Sequence, residues 1–155
     1  MKYGPRRAIE DGVVTPRIAQ TQDEQAACFE TLHSLRPHLT REAFLQRVRA
    51  QYADGYRLAC IERGGRVVAV AGYRMGRNLA WGKFLYVDDL VTHPDHRSEG
   101  LGATLLSWLQ QRAREHGCQQ LHLDSGQQRL DAHRFYKREG LAITGHHFAI
   151  VLDTG

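Results

Sequence analysis

The stretch Leu90-Val91-Thr92-His93-Pro94-Asp95-His96-Arg97-Ser98-Glu99-Gly100-Leu101-Gly102-Ala103 decides the reading of this chain. An apolar strand ends at His93-Pro94. A tight loop with one arginine and two glycines follows, and a long amphipathic helix begins at Gly102. A helix start leaves several backbone N–H groups without internal partners and carries partial positive charge. Glycine removes the side chain that would hold a phosphate away from that backbone. Arg97 adds a full charge at the mouth. The segment is therefore a physical cradle for a pyrophosphate. It lacks the Gly-Lys-Ser/Thr of a nucleotide P-loop and the G-x-G-x-x-G spacing of a dinucleotide fingerprint. Taken alone, a G-x-G at a helix start also fits a tight turn ahead of a packed helix.

Upstream of the loop, Tyr56–Glu62, Arg66–Arg74 and Trp81–Thr92 read as strands. Gly64-Gly65 and a turn over Met75–Asn78 join them into an antiparallel meander. Two helical patterns precede the meander. The first carries Ala26, Phe29, Leu32, His33 and Leu35 and stops at Pro37. The second, capped by Thr40, carries Phe44, Leu45, Val48 and Tyr52 and ends near Asp54-Gly55. A short strand at Arg17–Ala19 comes before both, and residues 1–14 read as a loose arm. Downstream, a helix from Gly102 to about His116 presents Leu105, Leu106, Leu109 and Ala113 and ends at Gly117. A strand over Gln120–Asp124, a helix from Arg129 to Glu139 and a last strand over Leu141–Leu152 close the chain. The order β-α-α-β-β-β-α-β-α-β predicts one α+β domain over residues 15–155. Its central sheet is mixed, with helices on both faces. The unit from Leu85 to Asp124 should be a right-handed parallel crossover. Trp81, Tyr86 and Trp108 are expected in the core.

The chain has 155 residues, a length that favours one domain, and 42% hydrophobic residues to fill its core. Charged residues make up 25%, ordinary for a globular domain. No apolar run reaches the length of a membrane span, and the basic start Met1–Arg7 has no apolar stretch behind it. The expected location is the cytoplasm. Cys28, Cys60 and Cys118 are odd in number and widely spaced, which argues against a disulfide framework or a zinc site. The net charge of +4 favours anionic partners, either a phosphorylated cofactor or nucleic acid. The basic residues form no stripe with interleaved aromatics, so nucleic acid is the weaker reading.

Arg97-x-x-Gly100-x-Gly102-Ala103, after Leu90-Val91-Thr92-His93-Pro94, resembles the acetyl-CoA signature of the GNAT superfamily of N-acetyltransferases. Ala132-His133-Arg134-Phe135-Tyr136-Lys137-Arg138-Glu139-Gly140-Leu141 resembles that family's A-x-x-x-Y-x-x-x-G-F segment. The order of elements matches as well, and the resemblance covers residues 15–152. It implies that backbone groups of Leu90, Val91 and Thr92 pair with the pantetheine arm of acetyl-CoA. The amides of Arg97, Ser98, Glu99, Gly100, Leu101, Gly102 and Ala103 would hold the pyrophosphate, and Tyr136 would sit near the cofactor sulfur. Ser125 and Arg134 are weaker candidates for the far end of the cofactor. The chain departs from the family pattern at Thr92, Ser98 and Glu99. It departs again at Arg129, where many members have a cofactor-contacting Asn, and at Leu141. A homodimer is expected by family analogy.

Acetyl transfer to an amine requires loss of a proton from the ammonium. An alkyl amine with a pKa near ~10 is only about 0.1% neutral at pH 7, a handicap of about 4 kcal/mol. Asp88-Asp89 is an acidic pair in an otherwise apolar strand, which is costly to bury without purpose. Strand alternation puts Asp88 and Leu90 on one face and Asp89 and Val91 on the other. The pair is similar to that of spermidine/spermine N-acetyltransferases, with Asp in place of the longer Glu. It marks Asp88 as general base or cation anchor, directly or through a water, with Asp89 beside it. Two structural hydrogen-bond acceptors are the competing reading. Tyr136 is the candidate general acid, and the Val91 amide a candidate oxyanion donor. His146-His147 opens the expected last strand, so one of them should face the acceptor pocket. His93 and His96 flank a Pro-Asp turn and read as surface residues. No third ligand completes a metal site. These readings converge on an acetyl-CoA-dependent N-acetyltransferase acting on a small primary amine, of polyamine or amino-sugar type, by direct attack in a ternary complex. The alternatives are a protein N-terminal or lysine acetyltransferase and a non-catalytic acyl-CoA-binding module.

Overall fold

The computed structural model describes residues 15–152, so the arm expected over residues 1–14 lies outside them. The chain divides between Leu123 and Asp124 into two compact units. The first holds β1 (Arg17–Ile18), α1 (Gln22–Ala26), α2 (Phe29–Leu35), α3 (Arg41–Ala53), β2 (Arg57–Arg63), β3 (Arg66–Asn78) and β4 (Gly82–Thr92). A 3-10 turn (Pro94–His96), α4 (Leu101–Glu115) and β5 (Gln120–Leu123) complete it.

Local chemistry sets these boundaries. Thr21 and Glu24 form a reciprocal capping box that starts α1, each side chain accepting from the other's amide at 3.1 Å. The single first helix expected from the sequence is broken at Ala27–Cys28 into α1 and α2. Thr40 Oγ1 accepts from the Ala43 amide at 3.1 Å and starts α3. The turn expected over Met75–Asn78 is instead strand. Met75, Gly76 and Arg77 pair with Leu85, Phe84 and Lys83. The reversal falls over residues 79–81, where Asn78 Oδ1 accepts from the Trp81 amide at 2.7 Å.

The sheet order is β1-β2-β3-β4-β5, with the first four strands antiparallel and β5 parallel to β4. This is the α+β architecture with a mixed sheet that the sequence predicts. Ala59 and Ile61 on one face of β2 join the core under α4, built on Leu101, Leu105 and Leu109. Leu58 and Cys60 on the other face join a second core with Leu32 of α2 and Phe44 and Val48 of α3. Trp81, Tyr86 and Trp108 are half-buried rather than central, and Trp81 stacks on His122 with ring centroids 3.4 Å apart. Among the described residues, no helix is long and apolar enough to cross a membrane.

The second unit carries α5 (Leu130–Arg138), which Gly140 ends with φ of 95°. The strand expected over Leu141–Leu152 is not formed. A strand needs a ladder of hydrogen bonds to a neighbour, and alternating apolar residues do not supply one. Phe148, Ile150 and Leu152 keep the period of two but remain exposed.

Candidate active site

Phe84–Val87 of β4 pair with Gln120–Leu123 of β5. There β5 ends. From Asp88 to Thr92, that edge of β4 pairs with no further strand among the described residues. On its other side β4 stays paired with β3 from Gly72↔Asp89 to Ala69↔Thr92. The outward backbone N–H and C=O groups of this stretch can hydrogen-bond an extended chain as a strand would.

A bulge sits at the head of this open edge. Gly72 pairs with Asp89 and Tyr73 with Val87, so Asp88 is the extra residue. One inserted residue shifts the side-chain phase. Val87 and Leu90 consequently pack into the same core, under α4. Asp88 and Asp89 both line one pocket on the opposite face. The bulge thus overturns the alternation expected from the sequence, which separated the two carboxylates.

That pocket has a volume of about 340 Å3 and lies among Leu32, Phe44, Val48, Tyr56 and the two aspartates. Asp89 is fully engaged. Arg36 Nε donates to its Oδ1 at 3.0 Å, and the Tyr56 hydroxyl donates to its Oδ2 at 2.6 Å. Burial, and then the Asp89 charge, push the Tyr56 phenol well above its usual range, so it stays a donor. Asp88 receives Arg74 Nε on Oδ2 at 3.0 Å, while its Oδ1 has no partner among the described residues. Burial raises the Asp88 carboxyl above the ordinary carboxylate range, outweighing the opposing pull of Arg74.

The glycine loop leaves β4 through the 3-10 turn. Gly100 adopts the left-handed conformation at φ of 78° as the N-cap of α4, and Ser98 does so at φ of 69°. The first bond of α4 runs from the Thr104 amide to the Gly100 carbonyl at 3.1 Å. The amides of residues 97–103 donate to no acceptor among the described residues. Space is open where a Cβ at Gly100 would stand. Glu99 turns its carboxylate to Arg63 and to His96 Nδ1, each at 3.1 Å, and so leaves the amides clear. Arg97 is exposed and makes no ion pair among the described residues. This donor set and clearance fit a pyrophosphate. His93 is not a surface residue: it is 8% exposed, with Nδ1 accepting from the Asp95 amide at 3.1 Å and Arg66 beside Nε2.

A family model described as "Acetyltransferase (GNAT) family" matches residues 18–141. The chain belongs to this acetyltransferase family. It is 33% identical over 130 residues to the uncharacterized N-acetyltransferase YhdJ of Bacillus subtilis, covering 83% of this chain and 92% of that protein. It is 33% identical over 128 residues to the aminoalkylphosphonate N-acetyltransferase of Salmonella typhimurium, covering 80% and 82%. Its fold is similar to that of the aminoglycoside N-acetyltransferase AAC(6')-Iy solved in complex with CoA, with a TM-score of 0.79 at 13% identity over 92% and 97% of the two chains. The protein is an N-acetyltransferase of a family that uses acetyl-CoA.

In the second unit of this acetyltransferase, Tyr136 lies on α5, and burial holds its phenol above the usual range against the pull of Arg129. Arg129 is the N-cap residue of that helix but makes no side-chain cap. Arg134 pairs with Asp131 one turn earlier. Ser125 Oγ is buried without a hydrogen-bond partner among the described residues. His146 and His147 are both exposed, and the strand on which their inward orientation rested is not formed. His147 Nδ1 lies 3.4 Å from Asp124 Oδ2. Sequence reasoning passed over Arg36, Tyr56, Gly72 and Arg74. They surround the acidic pair from three places far apart in the chain, the end of α2, the start of β2 and the middle of β3, and no local spacing marks them. The cost of burying two adjacent carboxylates was the one signal that such partners must exist.

Proposed function

We propose that this acetyltransferase moves the acetyl group of acetyl-CoA to the primary amine of a small molecule by direct attack, with both substrates bound together. Acetyl-CoA supplies the activated thioester. Leu90 and Thr92, whose backbone groups face away from β3, offer them to its pantetheine arm on either side of Val91, and the amides of residues 97–103, without acceptors among the described residues, hold its pyrophosphate with Arg97. Asp88 takes the proton of the ammonium, with Asp89 fixed beside it by Arg36 and Tyr56 as a positioning residue. Val91 stands opposite Val70 at a hydrogen-bonded position of the β3–β4 ladder, so its amide is directed at β3 and not at the developing oxyanion. Tyr136 returns a proton to the leaving thiolate.

The observation that carries this reading is Asp88 Oδ1. It is a carboxylate oxygen without a partner among the described residues, on a pocket-lining residue placed at the bulge where the open edge of β4 begins. A base there meets the amine beside the strand that holds the thioester arm. The pocket volume suits a small molecule. Arg36 and Arg74 already offset the two carboxylates, which disfavours a polyamine among the small amines. The named substrate class of the Salmonella relative, an aminoalkylphosphonate, is also a small amine.

The test is amine-dependent release of CoA from acetyl-CoA across aminoalkylphosphonates, amino sugars, polyamines, amino acids and short peptides. Transfer to a small amine is expected. Transfer to peptides alone would replace the small-molecule acceptor with a protein one. Tight acetyl-CoA binding without transfer to any amine would mean a binding module.

A further inference from the structure

The pocket beside Asp88 has charged walls of opposite sign. On the sheet side stand Asp88 and Asp89. On the helical side stand Arg36, His38 and, from α3, Arg47. Two of these groups are spoken for. Arg36 binds Asp89 and also donates from Nη2 to the Asp88 carbonyl at 3.1 Å. Arg47 lines the pocket with no carboxylate, carbonyl or ring partner among the described residues. His38 has none either. Asp88 Oδ1 is the free acceptor opposite them.

A guanidinium on a pocket wall without an internal counter-charge is a ready site for an oxyanion, and its planar fork suits phosphonate, phosphate or carboxylate. A free carboxylate oxygen across the same small cavity is a ready site for an ammonium. We infer that the acceptor is a short zwitterionic amine, its ammonium at Asp88 and its oxyanion held by Arg47 with His38. Arg47 is then a specificity-determining residue. The apolar side chains of Leu32, Phe44 and Val48 line the space between and set a short alkyl spacer. A polycation would bring a second positive charge against Arg47, whereas an uncharged tail would leave the guanidinium unused.

This inference rests on the acetyl-transfer reading above, and the experiment separates the two. Initial rates are measured at saturating acetyl-CoA with 2-aminoethylphosphonate, β-alanine, glucosamine 6-phosphate, and the uncharged-tail amines propylamine and glucosamine. They are measured for the wild type, Arg47→Gln, Arg47→Lys, and Arg49→Gln. Arg49 is exposed on the same helix but does not line the pocket, so it controls for long-range charge. The wild type should prefer one of the anionic amines over its uncharged counterpart by about tenfold to a hundredfold in kcat/KM, the worth of one charge-assisted hydrogen bond. Arg47→Gln should collapse that ratio toward one, through KM rather than kcat. Arg47→Lys should restore part of it, and Arg49→Gln should keep it. The three anionic amines tell phosphonate, carboxylate and sugar phosphate apart. Equal rates for charged and uncharged tails in the wild type would overturn the anion site, and so would an equal loss on every amine in Arg47→Gln.

Calorimetric titration of 2-aminoethylphosphonate and β-alanine into the CoA-bound protein covers the case of no turnover. Binding that Arg47→Gln abolishes would support the subsite even where the transfer reading fails. Absence of binding in the wild type, together with absence of turnover, would overturn both.

Discussion

The phenol of Tyr56 fills the space in which a side chain at Gly72 would stand. An ideal Cβ built there falls well inside contact distance of the Tyr56 hydroxyl and ring. Gly72 is the ladder partner of Asp89, and Tyr56 donates to Asp89 across that gap. Gly72→Ala must therefore expel the phenol from a buried site. The expected cost is about 1–3 kcal/mol from overpacking, with loss of turnover as Asp89 loses its donor. Tyr56→Phe keeps the ring and removes only the hydroxyl. It should cost about 1.5–3 kcal/mol for a hydrogen bond to a charged group and disturb activity less than Gly72→Ala. Thermal melts and kcat/KM for both variants check the order.

Asp88→Asn should separate activity from stability. Its carboxyl is raised, chiefly by burial, so the folded chain holds the proton more tightly than the unfolded chain. The associated stability is present below the unfolded value and lost as pH rises through the raised folded one. At neutral pH the charge is a burden on the fold, which Asn removes. What is given up is an ion pair with Arg74, itself 51% exposed and worth ~0–1 kcal/mol. The melting temperature at pH 7 should hold, while kcat falls by about 10²–10⁴-fold as expected for a general base. The wild type should lose kcat/KM on the acid side as Asp88 protonates, and the variant should lack that limb. Unchanged turnover in Asp88→Asn would assign the base elsewhere.

Left-handed backbone in the phosphate loop gives a pair of opposite outcomes. Gly100→Ala has room for its Cβ but not a favoured φ, so its cost is conformational, about 1–2 kcal/mol. KM for acetyl-CoA should rise with it, and Gly100→Asn, which tolerates this conformation better, should recover part. Ser98→Gly relieves the same strain at the other position and should raise the melting temperature with cofactor affinity kept. A stabilising Gly100→Ala would contradict the geometry.

Tyr136→Phe tests the acid. Removing a proton donor used only in the chemical step should lower kcat and leave KM for acetyl-CoA near its wild-type value. An equal effect on both would make Tyr136 a packing residue.

The parts of this fold written locally were readable in the sequence. Thr40 and Gly117 mark helix ends, Gly64-Gly65 marks a hairpin, and Arg97-x-x-Gly100-x-Gly102 marks the cradle. What depends on a partner strand was not. The bulge at Asp88 exists only in the pairing of β4 with β3, so strict alternation put Asp88 and Asp89 on opposite faces. The extension of β3 through Met75–Asn78 likewise depends on pairing with β4, where Gly76 admits the Phe84 ring. The residues that hold the acidic pair, Arg36, Tyr56 and Arg74, come from the end of α2, the residue before β2 and the middle of β3. His93 reads as a turn residue from Pro94 alone, and only the amide bond to Val68 at 2.7 Å shows that it continues the sheet inward.

Among the described residues the sheet is unfinished along β4 from Asp88 to Thr92, and that ties the fate of the molecule to its cofactor. A ligand that pairs with those backbone groups binds the folded chain and not the unfolded one. By mass action it adds about 2.7 kcal/mol of stability when present at about a hundred times its dissociation constant. An unpaired strand margin is also the template on which separate chains join edge to edge. Protein depleted of acetyl-CoA should therefore be the form that melts earliest and clouds first, and a molecule of CoA in the storage buffer serves as a missing strand.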